Sequence, residues 1–486
     1  MNSKSYEDKA VKSMVWKFVE GLSSQLVAFI VSIVLARILC PDDYSVVGIV
    51  TIFFSIAEVL ISGGFSSALI REKNADEKDY SSVLWISIIV SILTYVCLFL
   101  CAPSIANVYN QPILIPMLRI MALILPINAI KSIWSAKVSA SLEFRVFFYS
   151  NIFSIVISAV VGIVMALNNF GAWALVAQQM CNSVVGTFIL IMNTRIKIVF
   201  QISLNKTKKL FGYGWKVFVS SLIGKIYTEV NPLVVGLKFS PADLSYYAKG
   251  NSFPSKISSI TNSTFSSVLF SLLSKYQDDK NTLLIRTRQF IRYATYLVFP
   301  SMLGLFAVAD SFVSVLLTDK WIPIVPFIRI FCVSQMFDMI HSGNCEAIKA
   351  MGRSDVFLKM EFIKKTLYFL TIGLFVWFSD SAIALASSML VCTAIAIIVN
   401  SIPNLFLMDY RIKFQIFDLL PNLVISVVMC LGVLFIGLLP INNLLRLLVQ
   451  VCAGVVLYVL LSLVTRNSSF NFYVSMFKKI KRKKQK

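Results

Sequence analysis

Charge is scarce in this sequence. Asp, Glu, Lys and Arg make up only 14% of its 486 residues, while 57% are hydrophobic and the mean hydropathy is +0.79. A water-soluble domain of this length cannot hide so much apolar surface, so lipid must be part of its solvent. Histidine is nearly absent, with His341 the only one, and the nine cysteines are scattered without a CxxC pair. That scatter argues against a disulfide framework and against a metal site. There is no Walker loop, GxGxxG, HExxH or DxD pair, and the loops are too short for a soluble catalytic domain. No catalytic residue, metal ligand or cofactor is expected, beyond a transported proton or sodium ion.

Apolar runs are what the sequence has in abundance. About fourteen are long enough to cross a bilayer, near 13–38, 45–70, 82–102, 113–135, 147–167, 172–193, 212–237, 243–271, 293–315, 324–349, 359–378, 382–407, 417–438 and 444–464. They lack the short alternating pattern of a barrel, so an all-α polytopic membrane protein is expected. Span 1 is too long and too polar for a signal peptide and reads as an uncleaved helix. The net charge of +21 suggests nucleic acid until its distribution is traced. Basic residues gather in alternate loops: Lys4, Lys9 and Lys12, then Arg71, Lys73 and Lys78, then Arg195 to Lys209, then Lys275 to Arg288, and finally the tail "KKIKRKKQK". This is the positive-inside pattern, with both termini cytoplasmic and the tail against anionic headgroups.

One corner is written twice. "LARILCPDDYSVVG" and "VGLKFSPADLSYYAKG" pair Pro41 with Pro241, Asp43 with Asp243 and Ser45 with Ser245. Further on, "IPMLRI" and "VPFIRI" pair Pro116 with Pro326 and Arg119 with Arg329, in a register that also sets Asn128 against Asp338 and Lys131 against His341. The repeat unit is six spans, so both copies insert the same way up, related by an axis along the membrane normal. The expected organisation is an N-lobe over 1–193, a cytoplasmic linker over 194–211, a C-lobe over 212–408, two extra spans over 409–470 and a basic tail over 471–486. The repeated corner reads as the tight outer turn that starts spans 2 and 8, with Ser240, Pro241 and Asp243 forming a capping-box-like set.

Four spans carry polar stripes at helical spacing. Lys17, Glu20 and Ser24 lie on span 1, with Gln25 beside them; Ser55, Glu58 and Ser62 on span 2; Lys216, Ser220, Thr228 and Asn231 on span 7; and Ser245, Lys249, Ser252, Lys256 and Ser259 on span 8. Small-residue stripes also serve for close helix packing. The charges add weight, because an ionisable group at mid-bilayer costs about 3 kcal/mol even on permissive scales. Gln25, Glu58, Lys225 and Lys256 count to near the midplane. Lys225 and Glu229 stand four apart, so an internal ion pair competes with a substrate role there. Lys256 has no acid beside it on its own helix and is the leading candidate for an anionic substrate. Asn231-Pro232 reads as a packed kink or a hinge. Asp338 and His341, one turn apart, read as a proton relay or a satisfied buried pair.

"LARILCPDDYSVVGIV…GGFSSALIREK", "ANVYNQPIL", "NNFGAWALVAQQ", "YYAKGNSFPSKIS" and "TDKWIPIVPFIRI…AIKAMGRSDVFLKMEFIKK" together resemble the bacterial polysaccharide flippases of Wzx type. The resemblance covers residues 10 to about 410 and is greatest to the colanic-acid and teichuronic-acid exporter branch, within the multidrug/oligosaccharidyl-lipid/polysaccharide exporter superfamily. Two departures stand out. Ser45 replaces the usual glycine, and Ser62-Gly63 stands where an acid often precedes "GF", leaving Glu58 as the only acid in span 2. The resemblance implies two lobes rocking between inward- and outward-open states in the bacterial cytoplasmic membrane. Its cargo would be an undecaprenyl-pyrophosphate-linked oligosaccharide, its surroundings membrane lipids, and its partners a repeat-unit polymerase and a chain-length regulator. The competing readings are a cation-coupled multidrug exporter of the same superfamily, which usually needs acidic midplane residues, and a membrane glycosyltransferase or polymerase, which would show a long outer loop or an acid/base pair.

Overall fold

The computed structural model describes residues 3–62, 69, 76–141, 143–194, 196, 198, 204–273, 276 and 279–483. Among them every regular element is a helix: α1 (Ser3–Ile38), α2 (Pro41–Ser62), α3 (Glu77–Val108), α4 (Leu114–Met121), α5 (Ile124–Ser141), α6 (Phe144–Leu167), α7 (Ala172–Asn193), α8 (Leu204–Lys238), α9 (Pro241–Leu273), α10 (Lys280–Leu316), a 3-10 turn (Asp319–Ile324), α11 (Val325–Gln335), α12 (Asp338–Ala350), α13 (Ser354–Phe378), α14 (Ala382–Met408), α15 (Ile412–Gly437), α16 (Asn443–Val464) and α17 (Ser468–Lys483). By length and composition, 11 stretches among the described residues can cross a membrane. The helices at spans 7, 8 and 11 (α8, α9 and α13) fall outside that set because polar and charged residues interrupt them. The protein is a multi-pass, all-helical membrane protein.

Packing follows the logic of lipid rather than of water. On α6 the buried residues are Ser150, Ser154, Ser158, Ala159, Gly162 and Ala166, while Phe153, Val156, Ile157 and Val160 face outward. Lipid tails give no reason to bury large apolar groups, so small residues take the interface, where they let backbones approach. Ser150 donates to the Gly186 carbonyl on α7 at 2.7 Å, and a Cβ on Gly162 would lie 3.0 Å from Gln178.

Two spans are broken, each beyond the paired Arg119 or Arg329. α4 stops before Ala122 and α5 begins at Ile124, whereas α11 stops at Gln335 and α12 begins at Asp338. Pro126 accounts for the first break, since it has no N–H to offer the Ala122 carbonyl. By contrast, α8 continues through Pro232 to Lys238, so Asn231-Pro232 leaves the helix unbroken.

The repeated corner is a helix start in both copies. Ser240 and Asp243 cap α9 reciprocally: the Asp243 N–H donates to Ser240 Oγ at 3.2 Å and the Ser240 N–H to Asp243 Oδ2 at 3.1 Å. At α2 the Cys40 N–H donates to Asp43 Oδ2 at 3.0 Å. The corners also meet, because Ser245 Oγ donates to the Pro41 carbonyl at 2.5 Å. Gly171, with φ +54°, turns its backbone against the same Asp43: a Cβ there would stand 2.7 Å from Oδ1.

The chain forms two compact units, Met1–Ser245 and Tyr246–Lys486. In the first, α6 packs on α1 and α7, α3 on α5, and α2 on α5 and α8. In the second, α10 is the hub and touches α11, α12, α14, α15 and α16. α15 and α16 are fastened to α10 by polar groups. Arg288 and Arg292 of α10 both pair with Asp418 of α15, Asn422 donates to the Arg292 carbonyl at 2.7 Å, and Tyr458 of α16 donates to the Tyr296 carbonyl at 2.7 Å.

Candidate functional site

In the first unit, polar residues from four helices meet on α2. Glu58 accepts a hydrogen bond from Asn128 Nδ2 of α5 at 2.9 Å, and Ser183 of α7 donates to Asn128 Oδ1 at 2.5 Å. Lys131 and Lys225 are both close enough to act on Glu58 electrostatically. One turn along α2, Ser55 donates to Glu229 Oε1 of α8 at 3.2 Å. Lys225 Nζ lies 2.7 Å from the same oxygen. The structure thus brings together Glu58, Lys225 and Glu229, and Lys225 and Glu229 form the internal ion pair that competed with a substrate role.

Other expected residues sit apart from this cluster. Glu20 is buried and accepts from Asn151 Nδ2 of α6 at 2.6 Å. Gln25 is exposed on α1, and Asn231 is buried on α8. The side chains of Lys17, Lys216 and Ser62 lie outside the described residues.

In the second unit, α9 presents two polar faces. Asn251, Ser255, Ser258 and Asn262 form one stripe and are stitched to α11 and α12. Gln335 Nε2 donates to Asn251 Oδ1 at 2.7 Å, Ser258 to Asp338 Oδ2 at 2.5 Å, and Ser342 to Asn262 Oδ1 at 2.5 Å. Lys249, Ser252, Lys256 and Ser259 form the other stripe, about a third of a turn away at 100° per residue. On that face Ser252 and Ser259 satisfy their hydroxyls on their own helix. Lys249, 8% exposed, stands 5.9 Å from the Trp321 ring centroid, and Lys256 is half-buried and close enough to act on Lys249.

Asp338 and His341, one turn apart on α12, have separate partners. Asp338 is taken by Ser258, whereas His341 turns to Asn400 of α14 and Cys345 of its own helix. One turn on α12 separates their side chains enough to reach different neighbours. The repeat-equivalent arginines also diverge, since Arg119 lies over the Phe99 ring at 4.1 Å and Arg329 pairs with Asp310 at 2.5 Å.

Several polar residues escaped the sequence reading. Lys131 and Asn128 were visible only as repeat partners; their spacing of three on an apolar helix could have marked them. Asp418, one acid in an otherwise apolar run, was a similar signal.

The described residues form an all-helical, multi-pass membrane protein with ionisable clusters held inside its spans. A family model described as "Polysaccharide biosynthesis protein" matches residues 34–326, and the chain belongs to that family. It is 24% identical over 402 residues to the "Uncharacterized membrane protein in cps region" of Klebsiella pneumoniae, covering 80% of each chain. It is also 24% identical over 348 residues to "Succinoglycan biosynthesis transport protein ExoT" of Rhizobium meliloti, covering 71% of this chain and 70% of that one. Among solved structures, "Lipid II flippase MurJ, inward closed conformation" superposes with a TM-score of 0.76 at 16% identity, covering 93% of this chain and 99% of the other. That likeness establishes the fold.

Proposed function

We propose that this protein is a flippase, not an enzyme, which moves an undecaprenyl-pyrophosphate-linked oligosaccharide from the cytoplasmic to the outer leaflet by alternating access. Membership of the polysaccharide biosynthesis family carries this reading. A relative named as a succinoglycan transport protein and a fold shared with a lipid II flippase support it. A sugar pyrophosphate cannot enter hydrocarbon unaided, and buried cations lower its desolvation cost. Lys249 and Lys256, which share one face of α9, are the residues assigned to meet it. Lys225 is committed to Glu229 at 2.7 Å, so its role is to tune the Glu58 cluster. By their spacing in the sequence, Lys17, Lys216, Glu20, Gln25 and Asn231 are further candidates for contact with the cargo. Transport draws on a proton or sodium gradient, in the bacterial cytoplasmic membrane with both termini cytoplasmic, and hands its cargo to a repeat-unit polymerase with its chain-length regulator.

The test is direct. Purified protein in liposomes should carry a fluorescent undecaprenyl-pyrophosphate oligosaccharide across the bilayer, and Lys249→Ala/Lys256→Ala should abolish this at unchanged protein abundance. Wild-type liposomes that export lipophilic cations yet leave the lipid-linked sugar in place would replace the flippase with a drug exporter. Full transport by the double variant would remove the lysines from the mechanism.

A further inference from the structure

A lone histidine and scattered cysteines gave no reason to expect a metal site, yet the second unit assembles one set of ligands from three helices. His341 and Cys345 are four residues apart on α12 and therefore share a face; Cys345 Sγ lies 4.0 Å from His341 Nδ1. Glu361 of α13 adds a carboxylate, and the three ligand atoms all lie within 4.8 Å of one another. Nitrogen, thiolate and carboxylate around a tetrahedral zinc-type ion stand about 3.4–3.6 Å apart, so the set must close by about 1 Å to bind.

Two further observations point to a cation here. Asn400 of α14 is 0% exposed, its amide meets His341 Nδ1, and its Oδ1 has no hydrogen-bond partner. Turning the amide over presents that oxygen to the cluster as a fourth ligand. A cation is also already present: Lys364, whose side chain is 4% exposed, pairs with Glu361. Glu361 retains 28% of its side-chain exposure, which leaves a way in.

We propose that His341, Cys345, Glu361 and Asn400 bind one divalent ion of the zinc class, tying spans 10, 11 and 12 together. Binding replaces the Cys345 thiol proton with the metal and releases that proton to water. Two anionic ligands then neutralise the ion, and Lys364 loses its partner. Lys364 is therefore the built-in competitor, and removing its charge strengthens the site.

The full-length protein in detergent is titrated with Co2+ and followed by thiolate-to-cobalt charge-transfer absorption, with Zn2+ measured by competition against a chromophoric chelator. One equivalent per chain is expected. Cys345→Ser should lose the charge-transfer band, His341→Gln and Glu361→Gln should lose tight binding, and Asn400→Ala should weaken it by about tenfold or more. Lys364→Met should bind more tightly than wild type. Cys392→Ser, which removes a buried cysteine outside the cluster, should change nothing. Absence of the band from the wild type, or its survival in Cys345→Ser, overturns the site. Should Cys345→Ser fail to accumulate, weaker binding by Lys364→Met would overturn it equally.

Discussion

Asp418 shows what one buried carboxylate does in this molecule. Its side chain is 0% exposed, while Arg288 and Arg292 keep about a third of theirs. Arg288 Nε is 2.7 Å from Oδ2, and Tyr410 donates to the same oxygen at 3.0 Å. Removing the acid leaves two guanidinium groups facing an amide. For fully buried pairs that costs about 3–5 kcal/mol; partial exposure of the arginines lets water recover some of it, so Asp418→Asn is expected to cost about 2 kcal/mol. A lower Tm of the detergent-purified protein checks this, and adding Arg288→Gln and Arg292→Gln to the variant should restore part of the loss. An unchanged Tm would mean that the pair orients the two extra spans without stabilising them. The Glu58 cluster differs, since its acid is shared among an amide and two lysines. Glu58→Gln should leave Tm close to wild type while slowing transport, as expected of a group that sets local charge.

At the scale of the element, the corners and breaks carry the argument. Gly171 is held at φ +54° and ψ −132°, a conformation that costs other residues about 1–3 kcal/mol, and Asp43 fills the space where a side chain would start. Gly171→Ala should therefore lower Tm more than the cap variant Ser240→Ala, whose loss is about 1 kcal/mol. If the two variants melt together, the close approach of Asp43 is not a constraint. The breaks within spans 4 and 10 belong to the same level. Pro126 explains the first, whereas no proline lies at the junction of α11 and α12.

At the scale of the molecule, the positive-inside pattern and the fold predict which residues face each aqueous side. Cys40 is exposed at the turn expected on the outer face, while Cys97, Cys101 and Cys452 are exposed on helices long and apolar enough to lie in lipid. A membrane-impermeant maleimide added outside intact spheroplasts should label Cys40 and spare the other three, because thiolates do not form in hydrocarbon. Labelling of Cys40 only after lysis would invert the orientation and, with it, the direction assigned to transport. Dissipating the proton and sodium gradients one at a time in liposomes should stop flipping in one case only.

The helical fold class, most of the spans and the capped corners were legible in the sequence, because lipid imposes rules that act along the chain. A span needs a length, a helix start needs a cap, and charge must lie in loops or be compensated. Partnership was not legible. The stripe on α9 was read as one face, and its hydrogen-bonded partner stripe emerged only when α11 and α12 were seen to lie against it. Lys225 looked like a substrate contact or an ion pair until Ser55 and Glu229 were placed beside it. His341 and Cys345 carried no metal signature by spacing, since Glu361 and Asn400 reach them from other helices. Periodicity states which residues share a face; only tertiary packing decides what that face meets, because a buried charge or amide is satisfied by whichever group another helix brings within about 3 Å.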